Sequence, residues 1–495
     1  MSQLAILTIS DLPPEILSSI FLLNTFVESF CAVDRVKILR DTARYASQVC
    51  RQWRFLVLEN PVIWSRVIDF TSGSHLWTEE VLRRASDCPL TLVSRCGSLS
   101  SDILARELEH VSRFGQYDCE FTAETWLLVL DKFQQPAPYL EELRLEGSSR
   151  NSSAQYKLPA TIFSGNAPRL RQLWLQRCSF DDDLPYLAQL THLSVSQVPK
   201  KWLDTLSHMK SLTDLELKGI NIGTESHAAV HLPNLENITL WGWESSAFLS
   251  SLILKPTCSM RMIAQNFRPG TDFDVTAGII AQKLELYLIK TTESDFPLYL
   301  HFGNHCFIVS NHPTGAASKP ETSPCVFFSV SWLYPERVLL SILPHVSSAF
   351  AAPLSQVTSL ELHLNSTLAL ETHPAIANVL RQANNVTSLV RLNKQTANIF
   401  LHIEGVKRPL AISTQTSGDV VFPSLRTIHF TELGIPYAGA DRLLQPLVDF
   451  IRYRISIAAP MKEVYYANLS HVSWVQKDME CLREIGVLVA QRDWV

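Results

Sequence analysis

The stretch Leu170-Arg171-Gln172-Leu173-Trp174-Leu175 returns in the same form as Leu190-Thr191-His192-Leu193-Ser194-Val195, Leu212-Thr213-Asp214-Leu215-Glu216-Leu217 and Leu235-Glu236-Asn237-Ile238-Thr239-Leu240. Every copy is apolar at its first, fourth and sixth positions. Along an extended chain successive side chains alternate, so the fourth and sixth residues share one face while the first closes the turn leading in. The copies start 20, 22 and 23 residues apart. That interval holds one short strand and a return by helix or loop, so parallel strands laid side by side are expected.

Leu140/Leu143/Leu145 extends the pattern toward the N-terminus, and Val357/Leu360/Leu362, Leu425/Ile428/Phe430 and Met461/Val464/Tyr466 resume it later. The later copies are 68 and 36 residues apart, which calls for inserted helices or unrecognised units. Further strands are expected at Leu90–Val93, Leu284–Leu288 and Phe327–Val330, and a helix at Trp77–Ala85. Residues 311–325 and 146–157 are rich in turn formers and read as surface loops. The repeats resemble degenerate leucine-rich repeats, with Cys178 in the Asn/Cys slot but Ser148, Ile220 and Trp243 in its place elsewhere. The resemblance implies an α/β solenoid over residues 71–495, with parallel strands, helices on the convex side and a concave binding surface. An ordinary α/β domain with leucine-rich strands is the alternative. Trp174 and Trp241 fall out of phase with the leucines and are expected to face solvent; with Trp243 they are candidate anchors for a protein target.

The N-terminal run Ser10-Asp11-Leu12-Pro13-Pro14-Glu15 carries a helix-start signal: a capping residue, prolines where first-turn N–H groups lack partners, and an acid at the positive helix end. Ile16, Leu17, Ile20 and Phe21 then form a stripe. Ala46, Val49, Cys50, Trp53, Leu56 and Val57 suggest a second helix closed by Pro61, with Trp64 following. These pieces, in this order, resemble the F-box, especially its form in basidiomycete fungi. Residues 24–40 exceed a compact F-box and suggest an enlarged loop or additional turn. The resemblance implies a three-helix module over residues 8–70 that docks on a Skp-type adaptor, and through it on a cullin-RING ubiquitin ligase. Leu12, Pro13, Pro14, Glu15, Ile16 and Ile20 would face the adaptor, with Val49, Cys50 and Trp53 completing the surface. A module of about 50 residues has too little volume to bury all these side chains, and the surplus should form an exposed patch. A non-ligase scaffold whose helices merely cap the repeat is the alternative.

Composition narrows the rest. With 43 basic against 48 acidic residues and no long run of either sign, no nucleic-acid or anionic-membrane partner is expected. No apolar run approaches membrane-spanning length, and the first residues lack a basic leader. Ten scattered cysteines without a C-x-x-C pair suit a reducing compartment, cytosol or nucleus. Nucleophile-elbow, phosphate-loop and zinc-protease signatures are missing, so neither catalysis nor a cofactor is expected. His301, His305, Cys306 and His312 form the densest metal-like grouping, and Asp181-Asp182-Asp183 the densest acidic run; ordinary histidines and a solvated loop are the expected explanations.

Overall fold

The computed structural model describes residues 9, 12–25, 33–70, 74–94, 100–148, 156–181, 183–196, 202–218, 229–242, 245–255, 257–264, 271–291, 298–303, 306–310, 327–332, 338–364, 373–392, 394–403, 420–431, 445–457, 459, 461–467, 480–484 and 486–491. Contacts divide the chain into two units, one formed by residues 1–220 with 230–234 and the other by 221–229 with 235–495. Both are α/β and carry a mostly parallel arrangement of strands.

In the first unit, helices α1 (Pro14–Asn24), α2 (Val33–Val49), α3 (Arg51–Leu58), α4 (Pro61–Arg66) and α5 (His75–Ala85) precede β1 (Leu90–Ser94). Then come α6 (Ser101–Leu108), β2 (Phe114–Phe121), α7 (Ala123–Lys132), β3 (Glu142–Gly147), β4 (Tyr156–Leu158), β5 (Gln172–Gln176), β6 (Cys178–Phe180), β7 (His192–Val195), α8 (Trp202–His208), β8 (Asp214–Lys218) and β9 (Val230–His231). Six strands pair in the order β1-β2-β3-β5-β7-β8, each parallel to the next. The leucine alignment sets their register: Leu143 lies beside Leu173, Leu173 beside Leu193 and Leu193 beside Leu215. All of the first, fourth and sixth residues of these copies are sealed from solvent. Each such side chain is worth roughly 1.5–3 kcal/mol of burial, so the leucine ladder dominates the local energetics.

Side chains cap the starts of these helices. Ser74 accepts the Trp77 N–H at 3.3 Å and Ser100 that of Ile103 at 3.4 Å, while Thr122 and Thr125 satisfy each other's backbone N–H groups. Asn60 accepts the Val62 N–H at 3.2 Å, with Pro61 at the first helical position. Pro61 therefore opens α4 instead of closing the preceding helix, because its missing N–H costs nothing there. The helix expected across Ala46 to Val57 is also two helices. Cys50 sits between them in extended conformation (φ −152°, ψ 172°), and its Sγ accepts the Trp53 N–H at 3.4 Å. Of the expected loop at 24–40, residues 33–40 already belong to α2, and 26–32 lie outside the described residues.

In the second unit the elements are β10 (Asn237–Trp241), α9 (Ser245–Ser251), β11 (Leu252–Ile253), β12 (Ser259–Ala264), α10 (Thr271–Thr291), β13 (Leu298–Phe302), β14 (Cys306–Ser310), β15 (Phe327–Trp332), α11 (Val338–Leu354), β16 (Ser359–Leu364), α12 (His373–Leu380), β17 (Ser388–Leu392), α13 (Lys394–Ile403), β18 (Thr427–Thr431), α14 (Gln445–Ser456), β19 (Glu463–Ala467) and β20 (Leu488–Gln491). Ten strands pair in the order β10-β12-β15-β14-β13-β16-β17-β18-β19-β20. The wholly parallel expectation fails at β14, which runs antiparallel to both β13 and β15. Gly303 lies at the turn between β13 and β14, where a Cβ would stand 2.8 Å from His301 Nε2.

The strand expected at Leu284–Leu288 is part of the 21-residue helix α10. Ala277, Ile280, Ala281, Leu284 and Leu288 are buried at helical spacing, so the short apolar run belongs to a longer 3.6-residue period. The interval 146–157 is not uniformly exposed either: Gly147, Ser148 and Tyr156 are buried at strand ends, and 149–155 lie outside the described residues. The loop expected at 311–325 also lies outside them.

Candidate functional site

On α1 and α2 the apolar side chains divide into a buried set and an exposed one. On α1, Leu17 and Phe21 are buried, and the Phe21 ring meets the Trp53 ring edge-on at 4.9 Å. One position earlier, Ile16 is 48% exposed and Ile20 half-buried. The expected single stripe therefore splits into an inner pair and an outer pair. On α2, Leu39, Ala43 and Ala46 point inward, whereas Ile38, Tyr45 and Val49 are more than half exposed on the other side. Phe55 of α3 is 64% exposed. These three helices pack on one another. Among the described residues, nine of the fifteen exposed large apolar side chains fall at or before Leu76.

Of the residues expected at an adaptor surface, Pro13, Pro14, Glu15, Ile16, Val49 and Cys50 are exposed, and Leu12, Ile20 and Trp53 are partly so. Ile38, Tyr45 and Phe55 join them without having been expected. The signal that could have found the first two is a helical period in 38–49, which the loop expected at 24–40 obscures. Helix α4 behaves differently: Ile63, Trp64 and Val67 are buried and α4 packs on β1. The Trp64 Nε1–H donates to the Val57 carbonyl at 2.8 Å, and the Arg84 guanidinium lies 4.8 Å from its ring centre.

A second candidate lies on the polar face of the first unit's strands. Register places Asp118, Arg144, Trp174, Ser194 and Glu216 in one row across β2, β3, β5, β7 and β8. The neighbouring row holds Gln116, Glu142, Gln172, His192 and Asp214. Arg144 stacks on the Trp174 ring, 3.9 Å from its centre, and its Nε donates to Glu142 at 2.7 Å. The Trp174 ring also neighbours that of His192 at 6.4 Å. Ser194 Oγ donates to Glu216 at 2.7 Å, and Lys218 stands 3.5 Å from the same carboxylate. A groove of about 210 Å³ opens over this row. Trp174 is partly exposed there; Trp241 belongs to β10 of the other unit and is also partly exposed, and Trp243 lies outside the described residues.

The histidine grouping resolves differently. His301 on β13 pairs in register with His363 on β16, their ring centres 4.6 Å apart, and Tyr299 Oη lies 3.2 Å from His301 Nδ1. Burial, then the neighbouring His363, holds His301 down to about 4. Burial likewise lowers His363. Cys306 lies on β14, and His305 and His312 lie outside the described residues. Among the described residues no group of three or more His, Cys, Asp or Glu side chains is placed to hold a metal ion. Asp181 pairs with Lys157 and accepts the Ala160 N–H at 3.0 Å, and Asp182 lies outside the described residues. Burial pushes the Cys119 and Cys178 thiols up, which favours the protonated, unreactive form. Among the described residues no helix is long and apolar enough to cross a membrane.

Neither a protein-family model nor a curated protein matches the sequence.

Proposed function

We propose that this chain is a substrate-recruiting adaptor of a cullin-RING ubiquitin ligase, docking on a Skp-type adaptor through its N-terminal helices and holding a target protein on its repeat strands. The observation that carries this reading is the outer face of α1, α2 and α3, where Ile16, Ile38, Tyr45, Val49 and Phe55 stay open to solvent. Exposed apolar side chains gathered on one small helical module mark a protein-binding face, since leaving them in water forfeits burial free energy. The likeness of Leu12–Phe21, Val49–Arg54 and Pro61–Trp64 to the F-box supplies the identity of the partner. In this reading the parallel leucine-patterned strands form leucine-rich-repeat-like units and the face bearing Trp174 meets the target. Catalysis belongs to other subunits, and the chain works in cytosol or nucleus where such ligases act.

Copurification with a Skp-type adaptor tests it. Ile16→Asp with Val49→Asp should abolish capture while leaving the fold intact, because both side chains are exposed. Equal capture by the double variant would overturn the assignment. One observation favours a plainer scaffold reading for part of the module: α4 seals β1 much as a terminal cap shields the first layer of a repeat array. A chain that captures no adaptor yet loses its fold when α4 is disrupted would fit that scaffold.

A further inference from the structure

We draw no further inference here: the strongest candidate, the cavity of about 240 Å³ that Thr25, Ser65, Arg66, Gln116 and Glu141 line between the end of α1, α4 and the starts of β1 and β2, carries nothing, because its buried Thr25 and Ser65 hydroxyls already donate to the Leu22 and Val62 carbonyls and nothing in the structure shows what would fill it.

Discussion

The N-terminal helices and the strands that follow them solve opposite surface problems. Among the described residues of α1 to α3, Leu17, Phe21, Leu39, Ala43, Ala46 and Val57 are buried, while Ile16, Leu23, Ile38, Tyr45, Val49 and Phe55 stay exposed. In β5 and β8 burial alternates strictly, and across β3, β5, β7 and β8 the leucine ladder is sealed while the opposite rows are mostly polar, with Asp118, Glu142 and Ser194 buried among them. A period of two leaves no ambiguous flank, whereas a helix with apolar residues at consecutive positions must present some of them to water. The two regions therefore present different surfaces, one with apolar side chains left in water and the other with polar side chains held in register.

The largest effect should come from the residue that joins the two regions. Trp64 is only 2% exposed, bonds Val57 of α3 and sits under Arg84 of α5, while its helix lies on β1. Trp64→Ala should cost about 3–5 kcal/mol, read as a lowered urea midpoint, because it leaves a cavity and takes from the Val57 carbonyl the shorter of its hydrogen bonds, the Asn60 N–H at 3.4 Å remaining. A loss below about 1 kcal/mol would show that the helices and strands do not share a core there. The outer face should behave in the contrary way. Ile16→Asp with Val49→Asp should move the urea midpoint by less than about 1 kcal/mol, since surface changes seldom do more. The same pair should weaken adaptor capture at least tenfold, a difference of about 1.4 kcal/mol.

Much of this contrast is legible in the residues themselves, and the failures have definite causes. The row Arg144, Trp174, Ser194, Glu216 is simply the fifth residue of each leucine copy, so aligning the copies already fixes the register seen across β3, β5, β7 and β8. Phe114, Tyr117 and Cys119 form an earlier copy that a leucine pattern misses because none of the three is leucine, although Tyr117 and Cys119 lie beside Leu143 and Leu145. Val386 and Leu389 begin another. There a register shift puts Leu392 beside Phe430, so the sixth position holds Arg391 and the pattern breaks. The turn at β14 and the helix α10 depend on long-range packing that a short apolar run does not encode. At the N-terminus the helix start at Pro13 and Pro14 is legible, but the inner and outer halves of each stripe are not, because both are apolar.

Acid should strain the second unit through the paired imidazoles. His301 is held down to about 4 by burial and then by His363, and His363 is itself lowered by burial. In the unfolded chain both regain an ordinary value near 6.5, so below that pH the unfolded state binds more protons than the native one. Their contribution is complete above about pH 6.5 and is lost as pH falls toward 4. His301→Leu should therefore show a shallower fall in urea midpoint between these limits than the unaltered chain. Parallel pH profiles for the two would remove the imidazole pair as a source of acid sensitivity.

The smallest effect is expected where charge looks strongest. Glu80 on α5 accepts from Arg83 Nε and Nη2 at 2.8 Å and from Arg84 Nε at 2.6 Å, and these bonds bring its carboxyl down to about 2. A carboxyl lowered by its partners contributes above its ordinary value of about 4.5 and loses that contribution as pH falls toward 2. Yet the cluster lies on the surface, where water and salt screen the pairing and three long side chains must be ordered to make it. Glu80→Gln should therefore cost less than about 0.5 kcal/mol at neutral pH, and about 0.5 M salt should erase even that. The Arg84 guanidinium would still cover Trp64, whose burial depends on the apolar stem and ring contact more than on the carboxylate. A loss above about 2 kcal/mol would mean that Glu80 holds Arg84 in place over Trp64, making a surface ion pair part of the joint between helices and strands.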